Sequence, residues 1–102
     1  MTRVRWTEEA LQRLADIEDF VAGSNPSAAI ELVARLIERG ESLARFPKRG
    51  RSVPEVPGSD LRELVIDNYR LVYRQRGARV EILTVFEAHR LLPAEDLPPA
   101  KR

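Results

Sequence analysis

Three residues in the second half of the chain are of types suited to phosphate chemistry: Arg70 in "YRLVYR", and the adjacent pair His89 and Arg90 in "FEAHR". A lone imidazole titrates near neutrality and can pass a proton as general acid or base. Guanidinium groups beside it would hold a phosphodiester and offset the negative charge that develops on it. His89 is the only histidine in the chain, so no second imidazole completes a two-histidine metal site or a relay. Cysteine is absent as well, which removes thiolate nucleophiles, thiolate metal sites and disulfides. No Walker loop, GxGxxG, HExxH or paired-cysteine motif occurs, and neither a metal nor a cofactor is expected.

A second group of cations suits recognition. Arg49 and Arg51 lie in "PKRGRS", Arg62 in "LRELV", and Arg70 and Arg74 in "YRLVYR". Fifteen of the seventeen basic residues are arginine, the side chain that grips phosphate or carboxylate through two parallel hydrogen bonds. The formal net charge is only +1, but it is unevenly spread: residues 1–44 carry five basic and eight acidic side chains, and residues 45–102 carry twelve and eight. A basic partner surface on the second half would account for that asymmetry, as would solvated charged faces.

The elements that position these residues follow from periodicity. At 102 residues with 43% hydrophobic and 32% charged content, the chain suits one globular domain over residues 1–92. The tail 93–102, "PAEDLPPAKR", is expected to be extended or mobile. Charges in "MTRVRWTEEA" stand where a signal peptide needs an apolar run, and no membrane-spanning stretch occurs, so a cytoplasmic protein is expected.

Val4 and Trp6 alternate with Arg3 and Arg5 in a short strand. Thr7 then caps a helix, with Trp6 and Leu11 placed for a hydrophobic staple and Ala10, Leu14, Ile17 and Val21 as its buried stripe, up to Gly23. Asn25 and Pro26 open a second helix, which ends near Phe46 and Pro47. Its apolar face is wide enough to need two partners. Gly40, inside it, marks either a bend or a close backbone approach. "PKRGRSVPEVPGSD" reads as a loop, and three strands follow at 61–66, 69–75 and 79–87, joined by Asp67-Asn68 and by "RGA". The fold class is α+β: an N-terminal strand, a two-helix antiparallel hairpin, then a three-stranded antiparallel sheet, in the order β-α-α-β-β-β.

In the strand from Tyr69, the period of two places Tyr69, Leu71 and Tyr73 on one face and Arg70, Val72 and Arg74 on the other. Two helices cover one side of so small a sheet, which would leave the arginine side open, with Arg62 joining it if the register allows. Glu63, Asp67 and Glu81 are available as ion-pair partners, and exposed pairs of that kind contribute on the order of 0 to 1 kcal/mol.

The order of elements, together with "LRELV", "YRLVYR", "VEILTVFEAHR" and the preceding "ARFPKRGR", resembles the ParE/RelE superfamily of toxins from bacterial type II toxin–antitoxin systems. The resemblance implies a compact toxin whose active surface is blocked by the C-terminal segment of an antitoxin, expected to be ParD-like with a ribbon-helix-helix domain. RelE-like members are implied to cut mRNA in the ribosome, with Arg70 and Arg90 here at matching basic positions and His89 as an additional group to move a proton. ParE-like members are implied to inhibit DNA gyrase without catalysis. This chain has Leu61 and Glu63 where nuclease members often carry lysines, and no tyrosine follows Tyr73. The resemblance therefore favours the ParE-like branch, in which Arg49, Arg51, Arg62, Arg70 and Arg74 would meet the target or an acidic antitoxin segment. A member that only binds its antitoxin is the remaining alternative.

Overall fold

The computed structural model describes residues 2–88, so His89, Arg90 and the expected tail 93–102 lie outside the described residues. Strand β1 (Arg3–Trp6) leads into helices α1 (Glu8–Ala22) and α2 (Pro26–Glu41). Strands β2 (Arg51–Ser52), β3 (Arg62–Ile66), β4 (Tyr69–Arg76) and β5 (Arg79–Glu87) follow. They form one sheet in the order β1-β5-β4-β3-β2, in which β1 runs parallel to β5 and all other pairs are antiparallel. The expected α+β order is observed with two changes: β1 is built into the sheet, and the loop before β3 contains a two-residue edge strand.

Local chemistry sets the helix boundaries. Thr7 Oγ accepts from the Ala10 N–H at 3.1 Å and its hydroxyl donates to the Leu83 carbonyl at 3.0 Å, so one side chain caps α1 and ties it to β5. Asn25 Oδ1 caps α2 by accepting from the Ala28 N–H at 3.1 Å, with Pro26 at the first turn. The α-helix stops at Glu41 and a single 3-10 turn, Ser42–Ala44, completes the approach to Pro47. Gly40 proves to be a close approach: a Cβ there would lie 2.5 Å from the Trp6 ring, whose Nε1–H donates to Glu41 at 2.7 Å. Trp6 thus packs on α2, while Leu11, its expected staple partner, remains 54% exposed.

The main core lies between the helix pair and one face of the sheet. Leu14 of α1 and Leu32 and Leu36 of α2 meet Leu64, Ile66, Leu71, Tyr73, Val80, Ile82 and Val85. Each such side chain stabilises the fold by roughly 1.5–3 kcal/mol through burial. A register shift where β4 faces β5 lets this happen. Tyr73 pairs with Ile82 but Val72 with Thr84, so Leu83 is the extra residue of a bulge. Strict alternation along β5 would send Thr84 and Phe86 to the helices; the bulge sends Val85 there instead and turns Phe86 to the opposite face.

That opposite face is not open, contrary to the expectation above. Val53 and Val56 from the segment between α2 and β3 fold over it and make a second, smaller core with Leu61, Val72, Leu83 and Phe86, to which no helix contributes. Tyr73 fastens the start of this segment through the sheet: its hydroxyl donates to the Pro47 carbonyl at 2.8 Å and accepts from the Gly50 N–H at 2.9 Å. Gly50 has no room for a side chain, since a Cβ would sit 2.7 Å from the Glu63 carbonyl oxygen and from the fully buried Tyr73 ring. Gly50→Ala should therefore destabilise the protein by about 1–3 kcal/mol, the usual range for overpacking, as measured by urea unfolding. An unchanged midpoint would show that this segment is not held as described.

Candidate functional site

Backbone register decides which cations share a surface. In the β3–β4 pair Arg62 lies opposite Tyr73, Leu64 opposite Leu71 and Ile66 opposite Tyr69, so Arg62 belongs to the helix-side parity. Arg62 does not join the arginine file. Its guanidinium instead donates to the Gly50 carbonyl at 2.8 Å and to that of Lys48 at 3.4 Å, bracing the loop. Glu63 and Val65 take the other face, beside Val72 and Arg70.

Arg70 is at the centre of that face, and it is buried, with 4% of its surface exposed. Its Nε–H donates to Glu63 Oε1 at 2.7 Å, while its two terminal nitrogens grip both oxygens of Glu55 at 2.6 and 2.5 Å. Phe86 lies beneath the guanidinium, its ring centre 4.8 Å away. The second oxygen of Glu63 accepts from Arg51 at 2.7 Å. The result is a chain of alternating charge, Arg51–Glu63–Arg70–Glu55, running from the edge strand to the covering loop. The Glu63 side chain is fully enclosed by it, whereas Arg51 is 63% exposed. Hydrogen bonding to Glu55 first, and then to Glu63, holds the Arg70 pKa above its ordinary value against the opposing effect of burial.

Arg74 is paired too. Its Nε–H donates to Glu81 at 3.0 Å, and Arg5 approaches the same carboxylate from β1 at 3.5 Å. The hydrogen bond from Arg74 lowers the Glu81 pKa against the opposing effect of burial, with further attraction from Arg74, Arg79 and Arg5. Asp67 pairs across the molecule with Arg35 at 2.7 Å. Arg49 is apart from all of these: it stacks over Phe46 and donates to Ser42 Oγ at 3.0 Å.

Of the expected binding residues, the structure therefore brings Arg51 and Arg70 together through a shared glutamate and places Arg74 in a separate pair. It puts Arg62 on the other side of the sheet and Arg49 at a corner. Arg70 and Arg74 are not an open row of cations waiting for an acidic segment, because carboxylates of the chain itself meet them; only beyond them, at the end of β4, are Arg76 and the facing Arg79 exposed. Glu55 is the member that sequence reading missed. An acid flanked by Val and Pro in an otherwise cationic loop was the available signal.

Among the described residues, no group of three or more His, Cys, Asp or Glu side chains is arranged to hold a metal ion. No helix among them is long and apolar enough to cross a membrane. A two-helix hairpin on one face of a small mixed sheet, closed on the other by an ion-paired loop, defines a small α+β toxin of the type II toxin–antitoxin class once the comparisons are added. Residues 4–92 match the family model of the ParE toxin of type II toxin–antitoxin system, parDE, and the chain belongs to that family.

The chain is 39% identical over 94 residues to Y4kP of Sinorhizobium fredii, a candidate toxin, covering 89% of this chain and 93% of the relative. It is 36% identical over 92 residues to toxin RelE2 of Caulobacter vibrioides, covering 89% of this chain and all of that one. A solved structure titled as a chromosomal ParDE system from P. aeruginosa superposes with a TM-score of 0.72 at 27% identity, over 85% of this chain and 96% of that chain. Membership of a toxin–antitoxin family implies an antitoxin partner.

Removing one side of the buried chain leaves a carboxylate uncompensated. Arg70→Ala should cost about 3–5 kcal/mol in urea unfolding, and Arg74→Ala, which breaks a partly exposed pair, about 1 kcal/mol or less. A cost for Arg70→Ala no larger than that for Arg74→Ala would contradict the burial described. The smaller effect should depend on pH. The Glu81 pKa is lower folded than unfolded, so its contribution is fully present above the ordinary glutamate value of about 4.3. It disappears as pH falls through the lowered value. Wild-type and Arg74→Ala stabilities should converge in that acid range, and a gap that persists at the acid end would count against the pair.

Proposed function

We propose that the protein is a ParE-like toxin that inhibits DNA gyrase by binding, without catalysis. A cognate ParD-like antitoxin, with a ribbon-helix-helix domain and a disordered C-terminal segment, neutralises it in the cytoplasm. One observation carries the reading. Arg70, the member of the expected nuclease set that lies among the described residues, has its guanidinium committed to Glu55 and Glu63 in a site sealed by the loop. To clamp a scissile phosphate it would have to exchange two buried carboxylates for the substrate, leaving both uncompensated.

Tyr73 points the same way. It is fully buried and bonded to Pro47 and Gly50, and burial raises its pKa, so it does not serve as a solvent-facing base. Glu63, where nuclease members often carry a basic residue, is enclosed and ion-paired.

Expression from a tightly repressed promoter, followed by gel analysis of plasmid DNA and mapping of mRNA 5′ ends, tests the reading. Gyrase-dependent DNA breaks with intact mRNA are expected. Codon-phased mRNA cuts abolished by His89→Ala would establish the nuclease alternative, and absence of any growth defect would mark a member that only binds its antitoxin. Arg70→Ala is unsuitable as the diagnostic variant, because the destabilisation expected for it would abolish either activity.

A further inference from the structure

One cluster of positive charge lies off the sheet, at the corner joining α2 to β2. Arg45, Lys48 and Arg49 are exposed there, and Arg45 and Lys48 make no ion pair among the described residues. Between them Phe46 is 58% exposed. The Arg49 guanidinium carbon sits 5.6 Å from the ring centre and its NH1 donates to Ser42 Oγ, so the cation and the ring are held as one stacked unit. Glu41, the acid nearest in sequence, accepts from the Trp6 indole.

Hydrogen bonds hold the backbone of the corner. Its turn is closed by the Arg49 N–H to the Phe46 carbonyl at 3.1 Å, and its backbone is pinned by Tyr73 and Arg62. An exposed aromatic plane with a guanidinium stacked on it and two further cations within a few residues is the chemistry that binds unpaired nucleic acid. Phosphates meet the cations, and a base stacks on the plane. A duplex offers the phosphates but keeps its bases stacked.

We propose that Arg45, Phe46, Lys48 and Arg49 form a contact site for an unpaired nucleic-acid segment. The site stands on its own geometry and is independent of the gyrase reading. DNA and RNA share the chemistry, and the test distinguishes them. Fluorescence anisotropy with labelled 12-nucleotide DNA and RNA single strands and a DNA duplex of the same length, from 50 to 200 mM salt, reads it directly.

Single-strand binding should show a slope of log K against log salt of about −2, for three phosphate contacts at roughly −0.7 each. Phe46→Ala should weaken it at least about five-fold with the slope kept. The Arg45→Ala/Lys48→Ala double variant should reduce the slope to about −0.7. All three side chains are exposed, so thermal melts should show the variants folded. Absence of binding at 50 mM salt, equal affinity for duplex, or indifference to Phe46→Ala would each overturn the site. A toxin that traps gyrase but ignores the oligonucleotides would lose this inference alone, and one that binds them without affecting gyrase would lose only the gyrase reading.

Discussion

Glu63 is a carboxylate on a central strand with its side chain wholly excluded from solvent, and its neutralisation governs the architecture around it. An isolated charge in such a place costs several kcal/mol, so the fold must bring cations to it in good geometry. Arg70 does so from β4 and Arg51 from β2. Arg70 then needs a second acceptor for its outer nitrogens, which Glu55 supplies from the covering loop. Four residues from four segments are thereby made interdependent, and their charges cancel. The short strand β2 and the otherwise featureless loop acquire a fixed position from this network as much as from Val53 and Val56.

Cancellation of charge has a functional consequence. A row of arginines along one parity of a strand suggests a cationic plate, yet its middle is paired internally: Glu63 and Glu55 face Arg70, and Glu81 faces Arg74 and Arg5, while Arg76, Arg79 and Arg3 at the far end are exposed. The face is neutralised around Arg70 and partly roofed there. Positive charge without an ion pair among the described residues stands at the β4–β5 turn, with Arg76 and Arg79, and at the α2–β2 corner, with Arg45 and Lys48. The earlier reason for an acidic antitoxin segment lying along Arg62, Arg70 and Arg74 thus falls away, although the family relationship that implies an antitoxin does not.

Much of the frame was legible because it depends on local rules. The caps at Thr7 and Asn25, the buried pair Ala10 and Leu14, and the alternation of Tyr69, Leu71 and Tyr73 follow from hydrogen-bond accounting and side-chain period. The side taken by Arg62 was legible in principle. A two-residue turn at Asp67-Asn68, with Asp67 at a φ of 53°, forces Ile66 against Tyr69 and hence Arg62 against Tyr73. The bulge at Leu83 was not, since Val80, Ile82, Thr84 and Phe86 alternate without interruption and only packing against Leu14 and Leu36 selects Val85. Glu55 lay in a segment with no period to read, so its role emerges only when the loop is seen on the sheet.

Why the centre of the network is an arginine follows from the number of acceptors it must serve. Glu63 approaches along Nε while Glu55 approaches across the two terminal nitrogens, so one planar fork meets two carboxylates from different directions with its central carbon held over the Phe86 ring. A lysine brings one point of charge to the same place. It cannot bond both oxygens of Glu55 and also reach Glu63 in that plane, and its strongly hydrated ammonium resists stacking on a ring. The arginine is required by the loop closure, and this requirement alone accounts for its position in "YRLVYR" without any contact to a target. Function is then better sought where side chains are spared from such duties, and the corner of Arg45, Lys48 and Arg49 is the place where spared cations stand beside an exposed aromatic ring.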